Sequence, residues 1–110
     1  MQTDEKRKFP RLALKTEIWL GQDGIFTRTN ETLGDLSEGG AFIETRQRYP
    51  TGSILTLRFK LPEAAGFITS TIIIRNTRDD TGLGVEFLDL SPEDHRQIRA
   101  FIERRLAGRE

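Results

Sequence analysis

Residues 13–20 alternate between apolar and polar side chains, with Leu14 and Ile18 on one parity and Lys15 and Glu17 on the other. Alternation with period two is typical of a strand that buries one face, so this segment predicts the first strand. Five further segments, separated by turn residues, predict five more strands: 26–35, 40–45, 55–61, 67–78 and 83–87. The three consecutive isoleucines at 72–74 predict a strand that is buried on both sides near its middle.

The period of the apolar pattern changes at the C-terminal end of the chain. Ser91 and Pro92 have the features of an N-cap and a first helical residue, and Ile98 and Phe101 begin a repeat at helical spacing. These features predict one amphipathic helix over about 91–107. Six regularly spaced strands and one helix predict a mainly β fold, a small six-stranded antiparallel β-barrel with a C-terminal α-helix.

Composition excludes several classes of protein. The chain has 110 residues, the size of one domain, and no apolar run long enough to span a bilayer, so we expect a cytoplasmic protein without membrane insertion. It has no cysteine and a single histidine, His95, with no evident partner, so we expect no metal site and no cofactor. Neither a paired set of carboxylates nor a phosphate loop is present, so we expect no catalytic residue and no enzyme.

Charge is unevenly distributed along a chain whose formal net charge is zero. Residues 1–15 carry a net charge of +3 (five basic, two acidic), residues 16–90 of −4 (seven basic, eleven acidic) and residues 91–110 of +1 (five basic, four acidic). This distribution predicts a flexible basic arm over 1–12 and a folded domain over 13–110. The arm attracts anions, but the acidic body would repel a nucleic-acid backbone. A small anionic ligand therefore fits better than nucleic acid.

The basic arm contains a spaced pair of arginines, Arg7 and Arg11. Pro10 disfavours a helix at Phe9, so the segment is expected to be extended, with the two arginines about 13 Å apart at roughly 3.3 Å per residue. Guanidinium groups form bidentate hydrogen bonds with phosphate, or with O6 and N7 of guanine. The alternative is a solvated terminus without a ligand.

A second polar motif, residues 35–40, lies where the second strand ends. The carboxylate of Asp35 can accept hydrogen bonds from N1-H and N2-H of a guanine, and Ser37 can donate to a phosphate or brace the loop. Gly39 and Gly40 permit positive φ and a close approach of the backbone. The alternative is an ordinary Asx or Ser turn that ends in two glycines.

The two motifs together resemble the paired signature of PilZ domains, bacterial receptors for cyclic di-GMP. The match consists of Arg7-x-x-x-Arg11 followed by Asp35-x-Ser37-x-x-Gly40. Residues 82–87, Gly-Leu-Gly-Val-Glu-Phe, resemble the last strand of the family, so the resemblance extends over nearly the whole chain. The family has a six-stranded antiparallel barrel with a C-terminal helix, which agrees with the fold predicted from periodicity.

The resemblance implies a role for each motif residue. Arg7 and Arg11 would clamp the phosphates and guanine faces of cyclic di-GMP, while Asp35, Ser37 and Gly40 would hold a guanine from the barrel surface. The chain departs from the family where a later strand often carries a stacking aromatic, because it has Ile73, Ile74 and Arg75 there. Additional ligand contacts are expected from these residues: Lys6, Lys8, Gly39, Arg75 and Arg78, the last two as candidates to stack on a base.

Ligand number and assembly stay open. The residue before the first arginine is associated in the family with how many ligands bind, and Lys6 at that position favours a self-stacked pair of ligands, with one ligand per chain as the alternative. A homodimer is compatible with either arrangement.

Three functions from different classes follow. The first is a cyclic di-GMP receptor in second-messenger signalling, as in motility or biofilm formation, whose arm closes over the ligand and changes the surface offered to an unidentified downstream protein. The second is a PilZ-fold protein that acts through protein contacts, for example in type IV pilus assembly or motility, without the nucleotide. The third is a small single-strand nucleic-acid binder, which the acidic body and the few aromatic residues disfavour.

Overall fold

The computed structural model describes residues 12–22, 25–62, 66–78 and 81–108. These residues form six strands, one helix and the loops between them. Their bounds lie close to the predicted ones: β1 begins one residue earlier and ends two residues later than predicted, and β2 is longer by one residue at each end. The elements in chain order are β1 (Leu12–Gln22), β2 (Ile25–Leu36), β3 (Gly40–Glu44), β4 (Ile54–Lys60), β5 (Phe67–Arg78), β6 (Gly82–Phe87) and α1 (Pro92–Ala107).

The strands close into an antiparallel barrel in the order β1-β2-β3-β6-β5-β4. Closure depends on two pairings between strands that are not consecutive: β3 with β6, where Ala41 is in register with Val85, and β1 with β4, where Leu20 is in register with Leu57. A closed barrel leaves no strand edge unpaired. The predicted fold class, a six-stranded antiparallel β-barrel with a C-terminal helix, is confirmed.

The core combines the inward residues of the strands with one face of α1. Ile98, Phe101 and Ile102 of the helix are buried in the same cluster as Leu36 and Phe59 of the strands. The side of the barrel where β2 ends and β3 begins, and where Glu38 of the connecting loop contacts α1, is called the loop end. The opposite side, where β3 and β5 end and β4 and β6 begin, is called the far end.

Strand β5 corrects one prediction. Ile72 and Ile74 are fully buried, but Ile73 is only half-buried, so the strand is not buried on both sides. Side chains alternate between the two faces of a strand, so Ile73 lies on the outer face of the barrel, where the described residues cover it only in part. The apolar run therefore reflects strand propensity as well as burial.

The helix begins and ends as its capping residues predict. Ser91 is the N-cap, and its Oγ accepts a hydrogen bond from the backbone N–H of Asp94 at 3.0 Å. Pro92 occupies the first turn, where its missing N–H has no cost. Arg104 and Arg105 in the last turn complement the helix dipole.

Asp89 fastens the connection between β6 and α1 to strand β5. Its carboxylate accepts hydrogen bonds from the backbone N–H of Thr71 at 2.6 Å, from Thr71 Oγ1 at 2.8 Å and from Ser70 Oγ at 3.2 Å. These bonds, the Thr71 N–H first, lower the pKa of Asp89 from its ordinary value of 3.8, because they favour the charged form. Asp89 therefore helps to set where the helix starts.

We expect Asp89→Asn to lower the free energy of unfolding at pH 7 by about 0.5–1 kcal/mol, because an amide oxygen accepts these hydrogen bonds more weakly than a carboxylate, while water competes for them at this exposed position. A group whose pKa is lower in the folded state stabilises the fold above its unfolded pKa, and this stabilisation is lost as the pH falls through its folded pKa. The difference between the wild type and the variant should therefore shrink below about pH 4. Urea denaturation at pH 7 and pH 3 measures it.

The matched control for this experiment is Glu103→Gln, which neutralises an exposed carboxylate on α1. We expect it to change stability by less than about 0.5 kcal/mol at either pH. A loss in Asp89→Asn that is the same at both pH values would contradict the proposed role of the charged carboxylate.

Candidate functional site

Ser37 organises the loop between β2 and β3. Its backbone N–H donates to the carbonyl of Gly40 at 2.9 Å, and its Oγ donates to the same carbonyl at 3.2 Å. The same Oγ accepts from the backbone N–H groups of Gly39 at 3.3 Å and Gly40 at 3.2 Å. Ser37 is 5% exposed. Of the two roles expected for this hydroxyl, the structure shows the brace within the loop.

Gly40 is required by a close approach of two strands. A Cβ at this position would lie 2.2 Å from the carbonyl oxygen of Val85 on β6, a distance that no side chain tolerates. Among the described glycines, positive φ occurs at Gly52 and at neither Gly39 nor Gly40. The predicted close approach is confirmed, and the expectation of positive φ is wrong, because Gly40 already belongs to strand β3.

Asp35 lies on the outer face of the barrel, one residue before β2 ends. Leu33 and Leu36 are both fully buried although they are three positions apart, and a register shift between β2 and β3 at this point accommodates the odd spacing. Asp35 is consequently half-buried on the outside, in register with Ala13 and Phe42. Asp35 and Ser37 thus differ in position, one on the outer face and one within the loop.

Phe42 is a neighbour of Asp35 that the sequence analysis missed. Its ring lies over β6, where a Cβ on Gly82 would meet it at 2.5 Å, and the guanidinium carbon of Arg78 lies 5.1 Å from the ring centroid. The sequence pattern indicates the outer position of Phe42, because this residue alternates with the buried Ala41 and Ile43. Phe42 therefore shares the outer face with Asp35.

The two candidate stacking arginines lie in different places. Arg75 forms an ion pair with Glu86, Nε to Oε1 at 2.6 Å, and Glu86 is in register with Gly40, so Arg75 belongs to the surroundings of the loop. Arg78 lies at the far end of the barrel, in register with Gly82. Among the described residues, its link to the surroundings of Asp35 is the contact of its guanidinium with the Phe42 ring.

The basic arm lies outside the described residues, with Lys6, Arg7, Lys8 and Arg11, so their predicted contacts remain predictions. The described chain begins at Leu12, which is buried and in register with Leu36. The start of β1 is thus next to the end of β2, where the loop begins.

Glu38 connects the loop to the helix. Its Oε1 lies 3.2 Å from Nε of Arg99 and 3.2 Å from Nε2 of His95, and its side chain is only 14% exposed. The expectation that His95 has no partner is therefore wrong. Glu38 and Arg99 are 61 residues apart in the sequence, so only the tertiary fold brings them together.

The site is built from polar groups without a metal cluster. Among the described residues, no three histidine or carboxylate side chains are grouped as metal ligands. The described ranges also contain no helical segment with the length and apolar composition that a bilayer span requires. The geometry on the outer face, a carboxylate beside an aromatic ring and two arginines, is suited to a planar, polar and anionic ligand.

Comparison with known proteins gives one family and two structural neighbours. The family model described as "PilZ domain" matches residues 5–104. The Bacillus subtilis inhibitor of motility, MotI/DgrA, superposes with a TM-score of 0.77 at 19% identity, over 100% of this chain and 55% of its own. An uncharacterized Legionella protein has a TM-score of 0.58 at 14% identity, over 90% of this chain and 96% of its own.

The structural neighbours support a narrower conclusion than the family match. At such identities the two structures establish a shared fold, and this chain spans about half the length of MotI/DgrA. No protein in the curated set matches the sequence.

We expect Ser37→Ala to lower the free energy of unfolding by about 1–3 kcal/mol, because the N–H groups of Gly39 and Gly40 lose a shared acceptor in a buried loop. The matched control is Ser53→Ala. Ser53 Oγ donates to the carbonyl of Pro50 at 2.7 Å in an exposed turn, where water can replace it. Urea denaturation of both variants measures the difference, and equal losses would argue against a special role for Ser37.

Proposed function

The chain belongs to the PilZ domain family, and from this premise we propose that it is a receptor for cyclic di-GMP. The observation that carries the proposal is the loop of residues 35–40, where an outward carboxylate stands beside a buried, internally braced turn. A binding group on a rigid strand loses little freedom when a ligand arrives.

Guanine recognition is assigned to Asp35. Its carboxylate accepts from N1-H and N2-H of guanine, a pair of donors that adenine lacks on the same edge. Gly40 keeps the backbone close to β6, and Gly39 adds a peptide unit without a side chain between the loop and the ligand.

The arm is assigned to the phosphates. Arg7 and Arg11 precede Leu12, whose pairing with Leu36 fixes the start of β1 beside the loop. Arg7 is five residues from Leu12, so an extended arm reaches about 17 Å at roughly 3.3 Å per residue, far enough to cross a dinucleotide. Lys6 and Lys8 add positive charge to the same segment. Ordering the arm costs free energy, so we expect micromolar affinity, about −8 kcal/mol.

Base stacking is assigned to the outer face next to Asp35. The guanidinium of Arg78 lies over the ring of Phe42, and a guanine base stacked on this pair would extend it. Arg75 takes the other edge of the site through its pair with Glu86. Either one ligand or a self-stacked pair is compatible with this surface.

The signal to a downstream protein is assigned to the loop and helix α1. Glu38 joins the two through His95 and Arg99. A ligand that shifts the position of the loop would therefore also shift α1. We propose that this changes a surface read by another protein, in the bacterial cytoplasm, with motility and biofilm formation as candidate outputs. The name of one structural neighbour, an inhibitor of motility, supports testing motility first.

A second candidate function is a PilZ-fold protein that acts through protein contacts without the nucleotide. The brace of Ser37 favours it, because the loop satisfies its own hydrogen bonds and needs no ligand to hold its shape. Binding rather than catalysis is proposed in both cases.

We expect the wild type to bind cyclic di-GMP in calorimetric titration, and Arg7→Ala or Arg11→Ala to abolish the measurable heat while leaving the thermal melt unchanged. Each variant loses a guanidinium group that would bind phosphate. The melt should not change because neither residue belongs to the described core. The control is Arg96→Ala, an exposed arginine on α1, which should bind as the wild type does. If cyclic di-GMP, GTP and cyclic di-AMP all give no heat with the wild type, the second function is favoured.

Selectivity and arm closure have separate tests. Asp35→Asn should reduce the preference for cyclic di-GMP over cyclic di-AMP by about tenfold or more, because an amide presents one acceptor where the carboxylate presents two. Hydrogen exchange in residues 5–11 should slow when cyclic di-GMP is added. Unchanged exchange at saturation would rule out arm closure but not binding.

A further inference from the structure

We propose that the outward face of α1 is the interface of a weak homodimer, in which this helix pairs with α1 of a second copy that runs in the opposite direction. Four charged residues of the helix carry the proposal, and all four are exposed: Glu93, Arg96, Glu103 and Arg104. None of them is assigned to the site at the loop end. The proposal therefore goes beyond cyclic di-GMP binding and does not depend on it.

The four charged residues lie on the side of α1 that faces away from the barrel. The helix buries Ile98, Phe101 and Ile102 in the core. The residues on the opposite side recur at alternating spacings of three and four, which is the spacing of one helix face. They are Glu93, Arg96, Ala100, Glu103 and Ala107, with Arg104 beside them. Among the described residues, none of the four charged side chains has an ion-pair partner.

The order of the charges makes this face complementary to itself. From the N-terminal end of the helix the signs run acid, base, acid, base. An antiparallel second helix presents them in the reverse order, so Glu93 lies opposite Arg104 of the second copy. In the same way Arg96 lies opposite Glu103 of the second copy. A two-fold axis generates each of these pairs twice, whereas a parallel arrangement would set like charges against each other.

Both ion pairs form in one register of the two helices. The midpoint between positions 93 and 104 and the midpoint between positions 96 and 103 are one residue apart, which is about 1.5 Å along the helix axis. Gln97 and Ala100 of the two copies meet at the centre of this arrangement. The short side chain of Ala100 permits a close approach there, because the distance between packed helices depends on the side chains at the contact.

The size of the face limits the strength of the dimer. α1 has 16 residues, so it is about 24 Å long at roughly 1.5 Å per residue. A helix is about 10 Å wide, and the contact is therefore smaller than the surface of about 800 Å² per partner that stable complexes bury. Exposed ion pairs add little to such a contact. We expect a dissociation constant of about 0.1–1 mM at low ionic strength.

The first test is sedimentation equilibrium of the full chain at two salt concentrations. We expect a monomer–dimer equilibrium at about 0.01 M salt and a monomer at about 1 M, because the Debye length falls from about 30 Å to about 3 Å. Amide NMR shifts between dilute and concentrated samples should be confined to α1.

Charge reversal tests the ion pairs directly. Glu93→Arg sets an arginine against Arg104 of the second copy, and Arg104→Glu sets a glutamate against Glu93 of the second copy. Either variant alone should dimerise about tenfold more weakly than the wild type. An equimolar mixture of the two variants has opposite charges at both contacts, so it should form a mixed dimer with the wild-type affinity. A variant that had merely lost its fold would not regain binding on mixing.

Two controls accompany the charge reversals. Lys60→Glu makes the same change of charge as Arg104→Glu at an exposed position of β4, and it should dimerise as the wild type does. Glu93→Arg should bind cyclic di-GMP as the wild type does, so failure of the dimer is distinguishable from failure of the loop site. Arg109 and Glu110 follow the helix outside the described residues, and they are the same in every variant.

Four outcomes would overturn the proposal. They are a monomer at about 1 mM chain and low salt, well within the range in which a weak complex assembles; single charge-reversal variants that dimerise as the wild type does; a mixture of folded variants that stays monomeric; and concentration-dependent shifts outside α1. The last would identify another surface as the interface.

Discussion

The close approach of β3 and β6 at Gly40 is the constraint on which both the fold and the site depend. Gly40 has no room for a side chain, because the Val85 carbonyl would lie 2.2 Å from a Cβ. This contact fixes the register in which Gly40 faces Glu86, and therefore the pairing that closes the barrel. It also places the carbonyl and N–H that Ser37 uses to brace the loop. A larger residue at position 40 would disturb both the β3–β6 pairing and the braced loop.

The short loop separates its tasks among neighbouring residues. Asp35 lies on the outer face, Ser37 is buried and braces the turn, and Glu38 extends to the helix. Neighbouring residues can differ so sharply because the register shift in β2 turns Leu33 and Leu36 inward and leaves Asp35 outside. The hydrogen bonds within the loop and the contacts of Glu38 with His95 and Arg99 connect this part of the barrel to α1.

The sequence predicted what depends on local spacing and missed what depends on closure. Strand alternation and the Ser91 cap follow from residues a few positions apart. The outward position of Asp35 does not, because strict alternation would place it on the buried face with Leu33, and only the register shift between β2 and β3 leaves it outside. The Glu38–Arg99 pair depends on how the helix returns to the barrel, and the position of Phe42 over β6 depends on the pairing of two strands that are distant in sequence. Local alternation indicates only that Phe42 is on the outer face; neither the ion pair nor the position of the ring over β6 has a local signature. The expectation of positive φ at Gly40 was wrong for the same reason, since the demand on this glycine comes from β6.

The net charge of a segment does not describe the electrostatic potential at a particular place on the folded barrel. The body carries −4 over residues 16–90, which argues against anionic partners there. In the folded barrel, however, several of its carboxylates are engaged with donors: Glu38 with Arg99, Glu86 with Arg75 and Asp89 with Thr71. Their charge is balanced or dispersed locally. Because exposed charges more than about 10 Å apart are largely screened at physiological salt, a ligand at the loop end experiences the charges near it rather than the total. An acidic body is therefore compatible with the proposed binding of a small anionic ligand.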